Sequence, residues 1–535
     1  MLFRSGYLVK HKLSFQLAGR TALLRPEYLL AKKIAGAENV SGDFDPQVQD
    51  GYAKLFWAIH PKHSLEMMLY GSHDKLKYEP EIDEDVTSNS IHLGWDNSVA
   101  KLQWNYQPTL ETRLVTTAYS SKFTSIQEQR EFTIRGLSGG MGLGSEKHEQ
   151  AIRSQLFTRW RSIAINGGVD VRALSFKPAM QKTYLNLYDA VVRQSDYRTA
   201  QSSLFTETEY QDNRYKLKGG LRYTYYIDAA KHSSHHLDVR LQGSTFLTRN
   251  AGVEVTFDRL SQFQHSLEGL PVGWALDLMV PASQQLPTEV SHQYYAGGFW
   301  GNDTFYATLG GYYRHLSNMT SYKSLLNLFS VHNVSWEEDV ATGKGASYGL
   351  ELWLEKRKGR WTGSMAYTLS RTTRQFAEIN RGLRFPFKFD RTHNLNVQSQ
   401  YLLQASERRE QRFHTGLYFS SGHNMTIPVA TYSAEDLPFW ETTSSSSTHN
   451  HLYSFHANYR TQMSKVNEYR VANYLRLDVG YSVLWKRRTW QHELTFSLYN
   501  VLNRKNPYLV FHEEDRWKQL SLLSIIPSIR WELRF

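Results

Sequence analysis

The chain has no cysteine among its 535 residues, which excludes a disulfide framework and any thiolate metal site. No apolar run approaches the roughly 18 residues a membrane helix needs, and mean hydropathy is −0.53, so a helical membrane protein is excluded. Blocks of like charge are missing as well. The 62 Lys and Arg outnumber the 51 Asp and Glu to give a net charge of +11, but they are scattered, and nucleic acid is not an expected partner. No nucleophile elbow or zinc-protease helix is present, so neither catalysis nor a cofactor is expected. The amino-terminal Met1 to Lys10 lacks the sustained apolar core and small-residue cleavage site of a secretory signal peptide.

What is abundant is aromatic residues and alternation. There are 33 Tyr, 26 Phe and 14 Trp. At the carboxy-terminus Ile529, Trp531, Leu533 and Phe535 alternate with Ser528, Arg530, Glu532 and Arg534. Strand side chains point to opposite faces with period two, so this segment suits a strand with lipid on one side and a wet lumen on the other. An end of this kind is typical of bacterial outer-membrane barrels.

The same alternation continues upstream. Leu475 to Trp485 and Leu494 to Leu498 read as half-apolar strands separated by Lys486 to Trp490; Tyr348 to Leu354 and Trp361 to Leu369 are separated by Lys356 to Gly359. Further short turns are predicted near Ser406 to Gln411, Asn302, Phe246 to Arg249, Asp212 to Tyr215, Ala164 to Gly167, Gln107 to Leu110, His60 to Lys62 and His11. Long connections are predicted near Leu23 to Gln49, Leu76 to Ser90, Gly136 to Gln150, Lys177 to Ala200, Asp258 to Thr288 and Leu316 to Gly345, the longest being Gly422 to Asn473. Short turns on one side and long loops on the other are the asymmetry of an outer-membrane barrel. The expected fold class is all-β, a large antiparallel transmembrane β-barrel of about 21 strands. Bacterial single-chain barrels have even numbers, so one strand is expected to be missing at the amino-terminus.

The collinear blocks Gly343 to Leu352, Tyr367 to Thr372, Ile379 to Gly382 and Phe389 to Leu395, followed by Ser420 to His423, Tyr474 to Asp478, Tyr499 to Pro507 and Pro527 to Phe535, resemble the barrel of a TonB-dependent outer-membrane receptor of the kind abundant in Bacteroidota. Arg259 to His265, Leu278 to Ala282 and Gln293 to Gly298 follow the same order. The resemblance implies a 22-stranded barrel in the outer membrane, plugged by an amino-terminal domain and importing a scarce nutrient such as an iron chelate, cobalamin or an oligosaccharide. It also implies TonB and a plug domain as partners in the full-length receptor, with outer-membrane lipid, the barrel assembly machinery and a surface lipoprotein. Trp531, Leu533 and Phe535 would form the assembly signal. The chain departs from the family in showing no recognisable TonB box, plug or signal peptide. Residues 1–535 are therefore expected to be a single barrel domain, amino-terminally truncated and not competent for energised transport alone. The alternatives are a passive pore without a plug and a soluble all-β binding or enzyme module.

Specific side chains carry competing readings. His232, His235 and His236 would share one face of a helix and could hold a metal, but the surrounding pattern reads as a solvated loop between strands. His449, His451 and His456 lie in the longest loop, beside the low-complexity run Thr442 to Thr448. Glu79, Glu81, Asp83, Glu84 and Asp85 could offer oxygen ligands to Ca²⁺, but they lack the spacing of an EF-hand and read as a charged surface loop. Arg476, Asp478, Glu351, Glu355, Arg530, Glu532 and Arg534 are expected to face the lumen. Trp361, Trp485, Trp490, Tyr499 and Trp531 are expected in the interfacial girdles, and loop aromatics Trp274, Phe439 and Trp440 are candidate ligand contacts.

Overall fold

The computed structural model describes residues 2–22, 43–79, 88–133, 136–184, 190–193, 195–267, 278–323, 337, 340–433, 459–488, 490–513, 516–521 and 523–534. The first part of the wall comprises β1 (Leu2–Val9), β2 (Leu13–Ala22), β3 (Asp43–His60), β4 (His63–Glu79), β5 (Ser88–Tyr106), β6 (Thr112–Thr133), β7 (Gly136–Trp160) and β8 (Ile163–Tyr184). After the short β9 (Ala190–Arg193) come β10 (Tyr197–Gln211), β11 (Tyr215–Ile227), β12 (Ser233–Phe246) and β13 (Ala251–Gln262). A hairpin of β14 (Gln264–Leu267) and β15 (Leu278–Pro281) precedes β16 (Glu289–Gly301), β17 (Phe305–Tyr322), β18 (Val340–Lys356) and β19 (Trp361–Phe376). The rest are β20 (Phe385–Pro386), β21 (His393–Ala405), β22 (Arg409–Ser420), β23 (Asn424–Met425), β24 (Pro428–Ser433), β25 (Tyr459–Met463), β26 (Tyr469–Arg470), β27 (Tyr474–Lys486), β28 (Gln491–Tyr499), β29 (Leu509–Glu513), β30 (Arg516–Leu520) and β31 (Ile526–Arg534).

One antiparallel sheet of 23 strands forms the barrel wall. Its members are twenty-one wall strands in sequence order plus the short β9 and β20, so the expected strand count holds. Among the described residues, β1 pairs with β2 and β31 with β28, and no ladder joins β1 to β31. The ten short connections lie at one end and the long ones at the other. At the long-loop end residues 228–232 make a compact connection, closed by Lys231 at φ 70°, and β6 and β7 are separated by two residues only. Strands β3 to β8 run 17 to 25 residues, well beyond the roughly 9 to 11 that cross a bilayer, and the wall projects past any membrane there.

Period-two alternation gives the wall its two faces. On β11 the outward Leu217, Leu221 and Tyr223 are exposed, while Arg222 reaches an Asp170 carboxylate across the inner face. Register preserves the sorting, with Leu221 opposite Val239 and Tyr313 opposite both Tyr294 and Tyr348. Outward aromatics gather at two levels. On β17, Tyr313 and Phe305 are both exposed and bracket Leu309; eight residues of strand put them roughly 27 Å apart, close to the height of a barrel's apolar band.

Three expectations shift. The turn placed at Ala164 to Gly167 lies at residues 161–162, and the connection placed at Gly136 to Gln150 is strand β7, whose ladder with β6 runs to Gly136. Just past the expected turn, a side chain at Gly168 would collide with the Phe205 ring and the Ser154 carbonyl, so glycine there admits a neighbour rather than a turn. Tyr499 leaves the girdle, because it falls on the inward face and its ring stacks on Arg476 with 4.4 Å from guanidinium to centroid.

Candidate functional site

The connection from β13 to β16 occupies the lumen. These two strands pair directly, Gln262 opposite Glu289, so the residues between them leave the wall and return to it. They form the hairpin β14–β15, with His265 opposite Val280 and Leu267 opposite Leu278, which packs against β7, β8 and β17. Leu267, Leu278, Val280 and Leu286 are fully buried together with Tyr322 and Val340 of the wall. Each such side chain removed from water contributes roughly 1.5–3 kcal/mol before the cost of ordering the chain. The hairpin base is tied by Tyr226, which shares the inward face of Arg222 and donates from Oη to the Ala282 carbonyl at 2.7 Å. Asn318, held at φ 59° in a break of the β17–β18 register, donates to the Thr288 carbonyl at 2.9 Å.

One titratable group is sealed inside this plug-like core. His265 is 1% exposed, its Nε2 3.4 Å from the Leu286 carbonyl and its Nδ1 3.9 Å from Glu289 Oε2. Burial holds the imidazole below its ordinary pKa, and burial likewise pushes the Glu289 carboxyl up.

Around the hairpin the inner wall carries paired charges. Asp170, with 2% of its side chain exposed, accepts from Arg153 at 2.8 Å, Arg172 at 2.8 Å and Arg222 at 3.0 Å. Next to it Glu149 accepts from Tyr119 at 2.6 Å and pairs with Lys147 at 3.0 Å. Glu66 bridges Lys54 at 2.7 Å and Lys101 at 2.6 Å. Farther round, Arg476 lies between the rings of Tyr418 and Tyr499 and pairs with Asp478 at 3.0 Å. Charges at these depths persist because each has a counter-charge and because the lumen is hydrated.

The blocks that carry the family resemblance are staples of the long-loop end. Asp390 accepts the Thr372 amide at 2.6 Å and the Arg470 guanidinium at 2.6 Å, while Arg470 also donates to Thr392 at 2.9 Å. Arg391 donates to Ser420 at 2.9 Å, and the His393 amide to Ser421 at 3.1 Å. Asn500, 1% exposed, ties Arg504 and Leu523 carbonyls together, and Asn506 brackets both backbone groups of Leu475 at 2.9 Å. Gly343 and Gly345 leave room for the Phe376 ring and the Met319 sulfur.

The predicted site residues distribute unevenly. His235 and His236 belong to strand β12, not to a loop, because their pairing with Tyr225 and Thr224 extends the β11–β12 ladder almost to the turn. His235 meets Tyr223 Oη at 2.5 Å on the outward face, His236 lies edge-on to Phe263, and His232 caps onto Asp228. They do not converge, and among the described residues no group of three His, Cys, Asp or Glu could hold a metal. Trp531 and Leu533 point outward and are exposed. Trp274, Phe439, Trp440 and Phe535 lie outside the described residues, as do His449, His451, His456 and the acidic run Glu81 to Asp85. The inward hairpin was missed as a site. Its signal was the apolar content of Leu278 to Val280 within a segment expected to be loop.

No family profile and no curated protein sequence matches the chain. Among solved structures, the ferric yersiniabactin uptake receptor FyuA from Yersinia pestis is similar at TM-score 0.62 and 12% identity, covering 99% of this chain and 77% of its own. BauA, the ferric preacinetobactin receptor from Acinetobacter baumannii, is similar at TM-score 0.62 and 10% identity, covering 99% and 77%. The outer membrane transporter YddB from Escherichia coli is similar at TM-score 0.60 and 10% identity, covering 99% and 74%. The solved neighbours are TonB-dependent outer-membrane receptors, and at these low identities what this chain shares with them is the fold, one large antiparallel β-barrel.

Proposed function

We propose that this chain is the barrel of an outer-membrane receptor of the TonB-dependent, Bacteroidota type, serving the import of a scarce nutrient rather than catalysis. The carrying observation is the two-faced wall around an occupied lumen: exposed apolar residues between two aromatic levels outside, paired charges inside, and an apolar-cored hairpin folded across the interior. A barrel of this strand number would otherwise enclose a wide channel, and the hairpin narrows it. In this reading the long-loop end is extracellular and the short-turn end periplasmic. Of the candidate cargoes, iron chelates, cobalamin and oligosaccharides, the chelates are favoured because FyuA and BauA are described as receptors for ferric ligands.

Residues 1–535 then form a single barrel domain. Energised import would need TonB and a plug domain as partners, and insertion would need the barrel assembly machinery, reading Trp531, Leu533 and Phe535. Trp274, Phe439 and Trp440 would meet the cargo at the loops, beneath a surface lipoprotein. The test begins with cell fractionation: the protein should co-purify with outer membrane and migrate on cold SDS gels as a compact, heat-modifiable species. Recovery in the soluble fraction without detergent refutes the reading. In planar bilayers, a steady large conductance would favour the passive pore, whereas a mostly closed barrel that opens when residues 264–281 are replaced by a short turn supports the occluded receptor.

A further inference from the structure

The positive charge of this chain is concentrated at one rim. Of the ten short turns, eight carry Lys or Arg, twelve basic residues in all against four Asp or Glu. That excess of eight accounts for most of the net charge of +11. Representative members, Lys62, Arg161, Arg214, Arg249, Lys358 and Arg408, are all exposed.

Their depth is set by the aromatic level beside them. Outward Trp160, Tyr215, Phe305 and Trp361 lie within a residue or so of the turns and are exposed. Rings in this position sit at the headgroup level of a bilayer. Cations are packed directly on them: the Arg161 guanidinium is 5.4 Å from the Trp160 ring, Arg214 is 5.4 Å from Tyr215, and Lys356 Nζ is 5.3 Å from Trp361. A ring at the interface with a cation on its far side places that cation where lipid phosphates lie.

We infer that the short-turn rim is a docking surface for anionic phospholipid headgroups, gathering acidic lipid in the adjoining leaflet. The inference rests on the reading of this chain as a membrane-spanning barrel. Geometry favours lipid over a diffusible polyanion, because the cations form a ring at one depth next to the apolar band, not a patch on a lumenal surface. Guanidinium and ammonium groups also match phosphate esters directly.

The experiment uses the refolded barrel in mixed phosphatidylcholine and phosphatidylglycerol vesicles, with spin-labelled versions of each lipid as probes. The expected result is a several-fold preference of motionally restricted sites for phosphatidylglycerol, reduced at high salt; about 1 kcal/mol per basic residue near an anionic surface corresponds to about fivefold. Neutralising Lys358, Arg360, Arg408, Arg487 and Arg488 to Gln should lower the preference clearly below that of the unmodified barrel, the remaining rim cations keeping it above unity. Neutralising Lys231, Arg381 and Lys465 at the opposite end should leave it intact. Equal affinity for the two lipids in the unmodified barrel, or the same loss in both variants, overturns the inference while leaving the barrel reading standing. A barrel that does not enter the vesicles, judged by cold-gel migration and protease protection, overturns both.

Discussion

Replacing Asp170 by Asn tests whether the lumenal charge network stabilises the wall. In the native barrel one carboxylate, with 2% of its side chain exposed, receives five hydrogen bonds from Arg153, Arg172 and Arg222 at 2.8–3.1 Å. Asn keeps the shape, removes the charge and leaves three guanidinium groups converging on a neutral amide. Removing one partner of a buried pair costs about 3–5 kcal/mol. The arginines retain 29–35% side-chain exposure to the lumen, so rehydration offsets part of this, and about 3 kcal/mol is expected. Urea unfolding of the vesicle-folded barrel, followed by tryptophan fluorescence, measures it directly. Adding Arg222→Met to the Asn variant should recover part of the loss by relieving like-charge repulsion. A loss below about 1 kcal/mol, the value of an exposed surface pair, would refute the reasoning and make the cluster an ordinary solvated array.

Three further outcomes are expected. Asp390→Ala should loosen the long-loop end by about 2–4 kcal/mol, since it strands Arg470 and the Thr372 amide; limited proteolysis should then cut faster within residues 421–473, and unchanged cleavage would count against the staple. Gly343→Val should block assembly into the heat-modifiable form because its side chain meets the Gln375 backbone carbonyl as well as the Phe376 ring, so Phe376→Ala in the same chain should restore little of it; full rescue would show that the ring alone sets the limit. Hairpin docking should weaken as pH falls below about 6.5, because buried His265 has a depressed pKa and the undocked state binds more protons there. Glu289 acts in the opposite sense: its raised pKa favours docking at low pH, a contribution lost as pH rises past that value. Amide protection factors at 264–267 and 278–281, corrected for the base-catalysed intrinsic rate, should therefore fall between about pH 7.5 and about pH 5.5 and should not fall in His265→Phe, where only the opposing Glu289 contribution remains; an equal fall in both would show that His265 is not the cause.

The wall was legible in the sequence because its determinants are local. Alternation of Leu350, Leu352 and Leu354 with Glu351 and Glu355 fixes a face, and Arg357 to Arg360 fixes a turn, without knowledge of any distant residue. Glycine was the ambiguous letter. Gly168 fits against a ring on a neighbouring strand, and nothing within its own strand distinguishes that from a turn. Tyr499 was misplaced because its pairing with Arg476 spans two strands. The blocks around Asp390 and Asn500 were visible as a resemblance but without a role, since their partners lie up to 80 residues away. The inward hairpin was hidden for the same reason: Leu267 and Val280 become core only because Tyr322 and Val340 converge on them.

The direct ladder between β13 and β16 has a consequence for how such a chain can change. Gln262 meets Glu289 whatever lies between them, so the intervening segment is an insert that the wall does not need for closure. Selection on the wall answers to lipid and to assembly, whereas selection on the insert answers to whatever must pass or be stopped. The two can therefore diverge at different speeds, and the interior can be refitted for a new cargo by exchanging one segment while the envelope around it stays the same.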